Sequence, residues 1–166
     1  MDCLRCRGED GTGSGAKLRK FDDVLKRQVK PCDRVIVFTQ YANIEDKLFK
    51  VLKAAKDPCL QLMGTARQNA GAVERFQQAG TDAKVLLLNV CDESASGMNL
   101  TMVNRAMFGH PIFAAGQAQY TQWETQDIGC LRRYGEQKTC LLHRLVAQNT
   151  VDQRIIEKRC AYRFHQ

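Results

Sequence analysis

Two patterns of apolar and polar residues alternate along the chain. The first is a short, continuous apolar run rich in Val, Ile and Leu, which is typical of a strand buried on both faces. Runs of this kind lie at 34–38, 59–63, 85–89, 105–108 and 139–147. The second pattern is a longer segment of helical character, in several cases with apolar residues at helical spacing. These segments lie at 17–29, 42–55, 68–78, 117–131 and 151–163.

The alternation of strands and helices predicts the fold class. Sequential strands separated by helices form parallel sheets with helices on both faces. We therefore predict an α/β sandwich with a mostly parallel sheet of about five strands. Residues 1–16 are polar and rich in glycine, so we predict a flexible lead-in there and a single domain over 17–166.

The loop after the run at 85–89 is the first candidate for function. It contains small and polar residues, among them Ser94, Gly97 and Asn99. Ligands of open parallel sheets bind outside the carboxyl ends of the strands. Gly97 would let a ligand approach the backbone, and the Asn99 amide offers donors and an acceptor. The alternative is an ordinary turn into a helix, with Ser94 or Ser96 as its N-cap.

Charge adds a weaker indication. The net charge of the 166 residues is +7, and residues 130–166 contain eight Lys or Arg against three Asp or Glu. A basic segment attracts nucleic acid or nucleotide phosphates, although a solvated helix face would give the same count. No apolar run is long enough to span a bilayer and the first residues do not resemble a signal peptide, so we expect an intracellular protein without a membrane partner.

The cysteines and one glycine-rich stretch do not predict a metal or phosphate site. Of eight cysteines only Cys3 and Cys6 form a C-x-x-C pair, so we expect free thiols and no bound metal, with half of a zinc site as the alternative for that pair. The stretch from Gly11 imitates a P-loop, but Ala16 and Leu18 replace the second glycine and the Ser or Thr that holds magnesium.

Three segments, taken together, suggest a family. Residues 35–40 (VIVFTQ), 93–101 (ESASGMNLT) and 126–135 (QDIGCLRRYG) resemble, in order, motifs four, five and six of the second RecA-like lobe of superfamily two helicases. The segments FGHP at 108–111 and NTVD at 149–152 also fall where that family has similar sequences. The resemblance is to the Swi/Snf-like DNA translocases and extends from about Lys17 to Arg159.

This resemblance implies a RecA-like three-layer sandwich and a set of functions. The lobe would close on a first RecA-like lobe, in the same chain or another, with ATP and magnesium between the lobes, and would move along duplex DNA in the nucleus. The catalytic residue implied is Arg133, which would neutralise the charge that develops on the γ-phosphate. The ATP-binding residues implied are Gly97, Asn99, Gln126, Gly129, Arg132 and Arg133. The residues implied to bind nucleic acid are Thr39, Gln40 and Ser94.

The departures from the family pattern define the alternatives. Cys130 stands where the family usually has a second phosphate-contacting arginine, and neither a P-loop nor the acidic magnesium motif is present. We therefore expect the chain to be inactive alone and to hydrolyse ATP only with a first lobe. A second hypothesis is a catalytically degenerate module that binds DNA or protein. A third, an unrelated Rossmann-like enzyme, is disfavoured because no G-x-G-x-x-G follows the apolar runs.

Each candidate residue also has a structural interpretation. Gln126 and Gly129 could be helix surface positions, and Arg132 and Arg133 could stabilise a helix C-terminus. The polar groups of Thr39, Gln40 and Ser94 could cap adjacent helices. His110, which precedes a proline, is expected to be a turn residue, and Trp123 a core or interface residue.

Overall fold

Six parallel strands form one sheet, which we describe from a computed structural model. The structure describes residues 2–6, 15–62, 65–91, 98, 100–129 and 140–161, without the side chains of 2–6, 16, 66, 160 and 161. The strands are β1 (Asp2–Cys6), β2 (Val35–Thr39), β3 (Cys59–Gln61), β4 (Val85–Asn89), β5 (Arg105–Phe108) and β6 (Leu141–Ala147). Their order across the sheet is β1-β6-β5-β2-β4-β3.

Helices connect these strands and cover the sheet. They are α1 (Ala16–Gln28), α2 (Ala42–Ala54), α3 (Ala66–Gln77), α4 (Gln117–Gly129) and α5 (Val151–Ala161). The predicted α/β fold with its parallel strands and flanking helices is confirmed. Among the described helices, none is both long and apolar enough to cross a bilayer.

Strand β1 was not predicted. It lies within residues 1–16, which the sequence analysis assigned to a flexible lead-in, so that assignment is corrected for Asp2–Cys6. The strand pairs with β6 in parallel, from Asp2 opposite His143 to Cys6 opposite Ala147. An edge strand of this kind is held through main-chain hydrogen bonds, which require no apolar run in its own sequence.

The central strands explain why their sequences are apolar throughout. All five residues of β2 are buried, because alternate side chains enter two separate cores. Ile36 and Phe38 pack with Phe76 of α3 on one face of the sheet. Val35 and Val37 pack on the other face with residues of α1 and α2, which include Phe21, Val24, Leu48 and Leu52.

A buried carboxylate fixes the amino ends of β2 and β5 relative to each other. Asp33 accepts hydrogen bonds from Arg105 Nε at 2.6 Å, Asn104 Nδ2 at 2.5 Å and the Lys30 amide at 2.9 Å. Burial by itself would raise the pKa of Asp33, but these hydrogen bonds outweigh it and hold the pKa below its ordinary value. These hydrogen bonds set the register of β2 and β5 at their amino ends. Both strands lead to the candidate site at their carboxyl ends.

Helix α4 is attached to the sheet by a buried polar network. Glu124 accepts hydrogen bonds from Tyr120 Oη at 2.9 Å and from Arg144 Nη2, and Arg144 lies over the Phe108 ring at 5.3 Å. Arg159 of α5 lies over the Tyr120 ring at 5.2 Å. These contacts join α4 to β5, β6 and α5, so the helix that contains the first four residues of the third family-like segment has a fixed position.

Asp127 lies one turn further along the same buried face of α4. Its side chain is 3% exposed, and its Oδ2 has no hydrogen-bond partner among the described residues. Burial raises the pKa of Asp127 to about 8, because the low-dielectric surroundings disfavour the charged form. The carboxyl is therefore largely protonated at neutral pH.

The core assignment predicts opposite outcomes for the same substitution at two phenylalanines. Phe76 is 0% exposed and Phe113 is 58% exposed. We expect Phe76→Ala to lower the free energy of unfolding by about 3–5 kcal/mol, because it removes a buried ring and leaves a cavity. Phe113→Ala, the matched control, should change it by about 0.5 kcal/mol or less. Urea unfolding followed by circular dichroism measures both, and equal losses would contradict the assignment.

The raised pKa of Asp127 predicts a pH dependence of stability. Between the ordinary value of 3.8 and about 8, the folded carboxyl keeps a proton that the unfolded carboxyl has lost. The penalty on folding therefore grows as the pH rises through this window. We expect Asp127→Asn to increase the free energy of unfolding more at pH 8 than at pH 4.5. The difference should be at least about 1.4 kcal/mol, which corresponds to one pKa unit.

The control for this measurement is Asp82→Asn, the same change at an exposed carboxyl. Urea titrations of both variants and the parent chain at the two pH values give the comparison. An Asp127→Asn effect that is the same at both pH values would show that the folded carboxyl titrates normally.

Candidate functional site

The carboxyl ends of β2, β4 and β5 meet at one edge of the sheet. Thr39 is opposite Asn89, and Phe38 is opposite Phe108. The main chains of β2 and β4 stay paired just beyond the end of β4, where the Val90 amide donates a hydrogen bond to the Thr39 carbonyl at 2.7 Å. The segments that follow these strands therefore lie side by side, where parallel sheets bind ligands.

Gln40, a predicted nucleic-acid contact, links two of these segments. Its Nε2 donates to the Phe113 carbonyl at 2.6 Å, and its Oε1 accepts from the Phe113 amide at 2.8 Å. The side chain thus fastens the exit of β2 to the segment that follows β5. Because Nε2 has two hydrogens, this arrangement leaves one of them for another acceptor. A contact between Gln40 and a phosphate stays a prediction.

His110 fixes the same segment from the interior. Its ring is 5% exposed, and its Nε2 accepts a hydrogen bond from the Gln40 amide at 2.9 Å. Nδ1 lies 2.9 Å from the Pro111 carbonyl, so this nitrogen is the one that bears the hydrogen. Burial lowers the pKa of His110, which keeps the ring neutral and able to accept. The exposed ring of Tyr41 stacks on it at 5.1 Å.

From the sequence, His110 was expected to be a turn residue, and its positioning role was not predicted. The available signal was a Gly-His-Pro sequence directly after a buried strand. That signal could not identify the partner, because His110 and Gln40 are 70 residues apart in the chain.

Thr39, another predicted nucleic-acid contact, points into the protein. Its side chain is 1% exposed, and its hydroxyl donates to Glu45 Oε2 of α2 at 3.4 Å. A phosphate contact by this hydroxyl would require it to leave Glu45. In the conformation described, Thr39 connects β2 to α2.

A cleft of about 820 Å³ opens between these strand ends and the first turn of α2. Its described lining is rich in side-chain amides and includes no Lys or Arg. The lining residues are Gln40, Tyr41, Ala42, Asn43, Glu45, Asp46, Gln61, Leu62, Asn89 and Cys91. Amides can donate to phosphate oxygens or to base edges. No side chain caps the N-terminus of α2, whose first two residues, Ala42 and Asn43, line this space.

Two further groups in the cleft are already oriented by neighbours. Gln61 Nε2 donates to Asp46 Oδ1 at 3.2 Å, and Asn89 Oδ1 accepts from the Cys91 amide at 3.0 Å. Asn43 and Asn89 were not among the predicted site residues, although Asn89 is the polar residue that ends the apolar run of β4.

The predicted ATP-binding residues are only partly within the described chain. Gln126 is half-buried near the end of α4, and Gly129, its last residue, is exposed. Neither lines the cleft. The remaining predicted residues lie outside the described part of the chain. They are Ser94, Gly97, Asn99, Arg132 and Arg133, together with the departure at Cys130.

The described residues contain no group of three or more His, Cys, Asp or Glu side chains that could hold a metal ion. The side chains of Cys3 and Cys6 are not described, so the alternative of half a zinc site is untested. The assignment of ATP and magnesium to a site shared with a first lobe also stays a prediction.

Comparisons with known proteins agree with this architecture. No family model matches the chain. A fungal protein from Cryptococcus neoformans, DNA (cytosine-5-)-methyltransferase DMT5, is 39% identical over 161 residues, which are 96% of this chain and 7% of that protein. An Arabidopsis thaliana protein described as a putative SWI/SNF-related matrix-associated actin-dependent regulator of chromatin is 27% identical over 90% of this chain and 17% of its own length.

Two other matches concern a repair protein and a solved structure. The human DNA repair and recombination protein RAD54-like is 25% identical over 76% of this chain and 16% of its own length. The crystal structure of the C-terminal part of the Fun30 ATPase domain matches with a TM-score of 0.73 and 18% identity. The match covers 86% of this chain and 45% of that structure.

The chain thus spans less than a fifth of the length of each of these three relatives. The strand order, the matched ATPase fold and the SWI/SNF-related and RAD54-like relatives point to the same assignment. In sequence and fold, the chain is similar to the C-terminal RecA-like lobe of the Swi/Snf-like helicases.

Proposed function

We propose that this chain acts as the second lobe of an ATP-dependent DNA translocase and contributes part of the track for the DNA backbone. The observation that supports this most directly is the strand-end edge, where Gln40, His110 and Tyr41 hold the exit of β2 beside the amide-lined cleft. This is the place where the motif-four resemblance puts DNA contacts.

The proposal that the ligand is DNA has two supports of different kinds. Main-chain N–H groups at a helix N-terminus and side-chain amides bind phosphate without reading sequence, as a translocase requires. The names of the relatives include a DNA methyltransferase and a DNA repair and recombination protein. Chromatin or DNA repair is the setting we propose, with the nucleus as the location.

The ATP-dependent step would require a first lobe with a P-loop and a magnesium-binding carboxylate. This chain would supply Arg133 as the catalytic guanidinium, with Arg132, Gly97, Asn99, Gln126 and Gly129 around the nucleotide. The buried contacts of Glu124 with Tyr120 and Arg144 hold α4, and thereby the start of the segment that contains these arginines. ATP with magnesium would supply the phosphoryl group and the charge that has to be neutralised.

The second candidate is a catalytically degenerate module that still binds DNA or protein. Cys130 favours this alternative, because a thiol cannot replace the guanidinium that the family usually has there. The basic balance of residues 130–166 is compatible with binding in either case.

Binding to duplex DNA in a salt series tests the proposed track. We expect salt-sensitive binding of the purified chain, because phosphate contacts release counterions. Asn43→Asp places a carboxylate at the uncapped N-terminus of α2 and should weaken binding about fivefold at low salt, the effect of roughly 1 kcal/mol between two charges 4 Å apart in water. Gln122→Glu adds the same charge at an exposed position of α4 and is the control. Equal weakening by both variants would exclude the cleft as the DNA site.

ATP hydrolysis separates the two candidates. The chain alone should show no DNA-dependent turnover. Joined to a first lobe that supplies the P-loop, Cys130→Arg should raise the DNA-stimulated rate by about 10³-fold or more, since an arginine finger contributes that much to phosphoryl transfer. The paired control is Cys130→Arg with Arg133→Ala, which should remove the gain. An unchanged rate in the Cys130→Arg protein would favour the degenerate module.

A further inference from the structure

A second open groove lies between α1 and α2, on the other side of α2 from the cleft. Its volume is about 430 Å³. Residues of α2 at helical spacing face it, namely Ile44, Lys47, Leu48 and Val51, whereas Asn43, Glu45 and Asp46 line the cleft. The described linings of the two openings have no residue in common. Helix α2 therefore separates two distinct surfaces.

The floor of the groove is apolar. Leu18 of α1 and Ile44 of α2 pack on the core beneath the helices but remain partly exposed, and Leu48 and Leu145 close the bottom. Gly15 also lines the groove, and a Cβ added there would meet no described atom within 4 Å. Folding thus leaves apolar surface accessible that a partner could remove from water.

The rim of the groove is positive. Lys47 and Lys50 are exposed, and neither forms an ion pair among the described residues. Lys17, also on the rim, pairs with Asp152 of α5. No side chain caps α1 at Gly15, and its first turn contains no acidic residue, so the N-terminal dipole adds to the positive potential. Among the residues that the structure describes, no carboxylate lines this groove.

We propose that the α1–α2 groove binds an acidic amphipathic peptide segment of a partner protein. Apolar side chains of that segment occupy the floor between Leu18, Ile44 and Val51, and its carboxylates pair with Lys47 and Lys50. Such a segment is complementary to the apolar floor and the positive rim of the groove. Helical peptides dock into apolar grooves through side chains at i, i+3 or i+4 and i+7. Duplex DNA fits less well, because its phosphate backbone gains nothing from the apolar floor. The proposal does not depend on ATP or DNA binding by the cleft.

The test is fluorescence anisotropy with a labelled 16-residue peptide that has Leu at helical spacing along one face and Glu on both flanks. A peptide of the same composition with scrambled order is the reference. We expect the amphipathic peptide to bind at least about tenfold more tightly than the scrambled one. No difference up to about 1 mM peptide would overturn the proposal.

Charge-reversal variants locate the binding on the chain. Lys47→Glu with Lys50→Glu should weaken peptide binding at least about tenfold. Lys30→Glu with Lys53→Glu changes two exposed lysines that do not line the groove and should leave binding unchanged. Far-ultraviolet circular dichroism confirms that both pairs fold.

A duplex DNA competitor distinguishes the two classes of ligand. We expect that a 20-base-pair DNA duplex does not displace the peptide. We also expect the variant with Lys47→Glu and Lys50→Glu to bind DNA with an affinity within about twofold of that of the parent chain. Displacement of the peptide by DNA would overturn the proposal. So would a variant that loses DNA binding but keeps peptide binding, because the two lysines would then belong to the DNA track.

Discussion

Strand β2 pairs with β4 on one side and with β5 on the other, and the rest of the molecule depends on this double pairing. Because both edges and both faces of β2 are occupied, its position is fixed by main-chain hydrogen bonds and by two cores. The buried Asp33 with Arg105 sets the register at the amino ends of the strands. At the carboxyl ends this register places Gln40 between His110, which accepts its amide hydrogen, and Cys91, which lines the same cleft, so the candidate site results from the order of the strands.

A neutral histidine maintains that arrangement beyond the end of the sheet. A strand that leaves its ladder has main-chain N–H groups without partners, and the His110 ring accepts one of them from Gln40. Burial keeps the ring uncharged and therefore able to accept. The Gln40 side chain then binds the Phe113 main chain through two hydrogen bonds, so the loops after β2 and β5 form one structural unit. An edge built in this way can present Tyr41 and the first turn of α2 in a fixed orientation.

Helix α2 borders two openings because its sequence has two periodic sets of residues. One set, which includes Asn43 and Asp46, borders the amide-lined cleft proposed to hold DNA. The other, which includes Ile44 and Lys47, borders the apolar groove proposed to hold an acidic peptide. The helix is also attached to the sheet, since the Thr39 hydroxyl of β2 donates a hydrogen bond to the buried Glu45 of α2.

The sequence by itself determined the central strands, the five helices and the parallel class of the sheet, because burial on both faces produces continuous apolar runs and helices have their own period. The motif resemblance pointed to the same family as the relatives and the matched fold. Only the tertiary structure decided that Asp2–Cys6 is an edge strand, that Thr39 faces inward and that Gln40 joins Phe113, 73 residues away. These features depend on which strands become neighbours and on how α1 and α2 pack side by side. Local sequence patterns encode burial and period, whereas such long-range hydrogen bonds and the groove between two helices exist only once the sheet order is fixed.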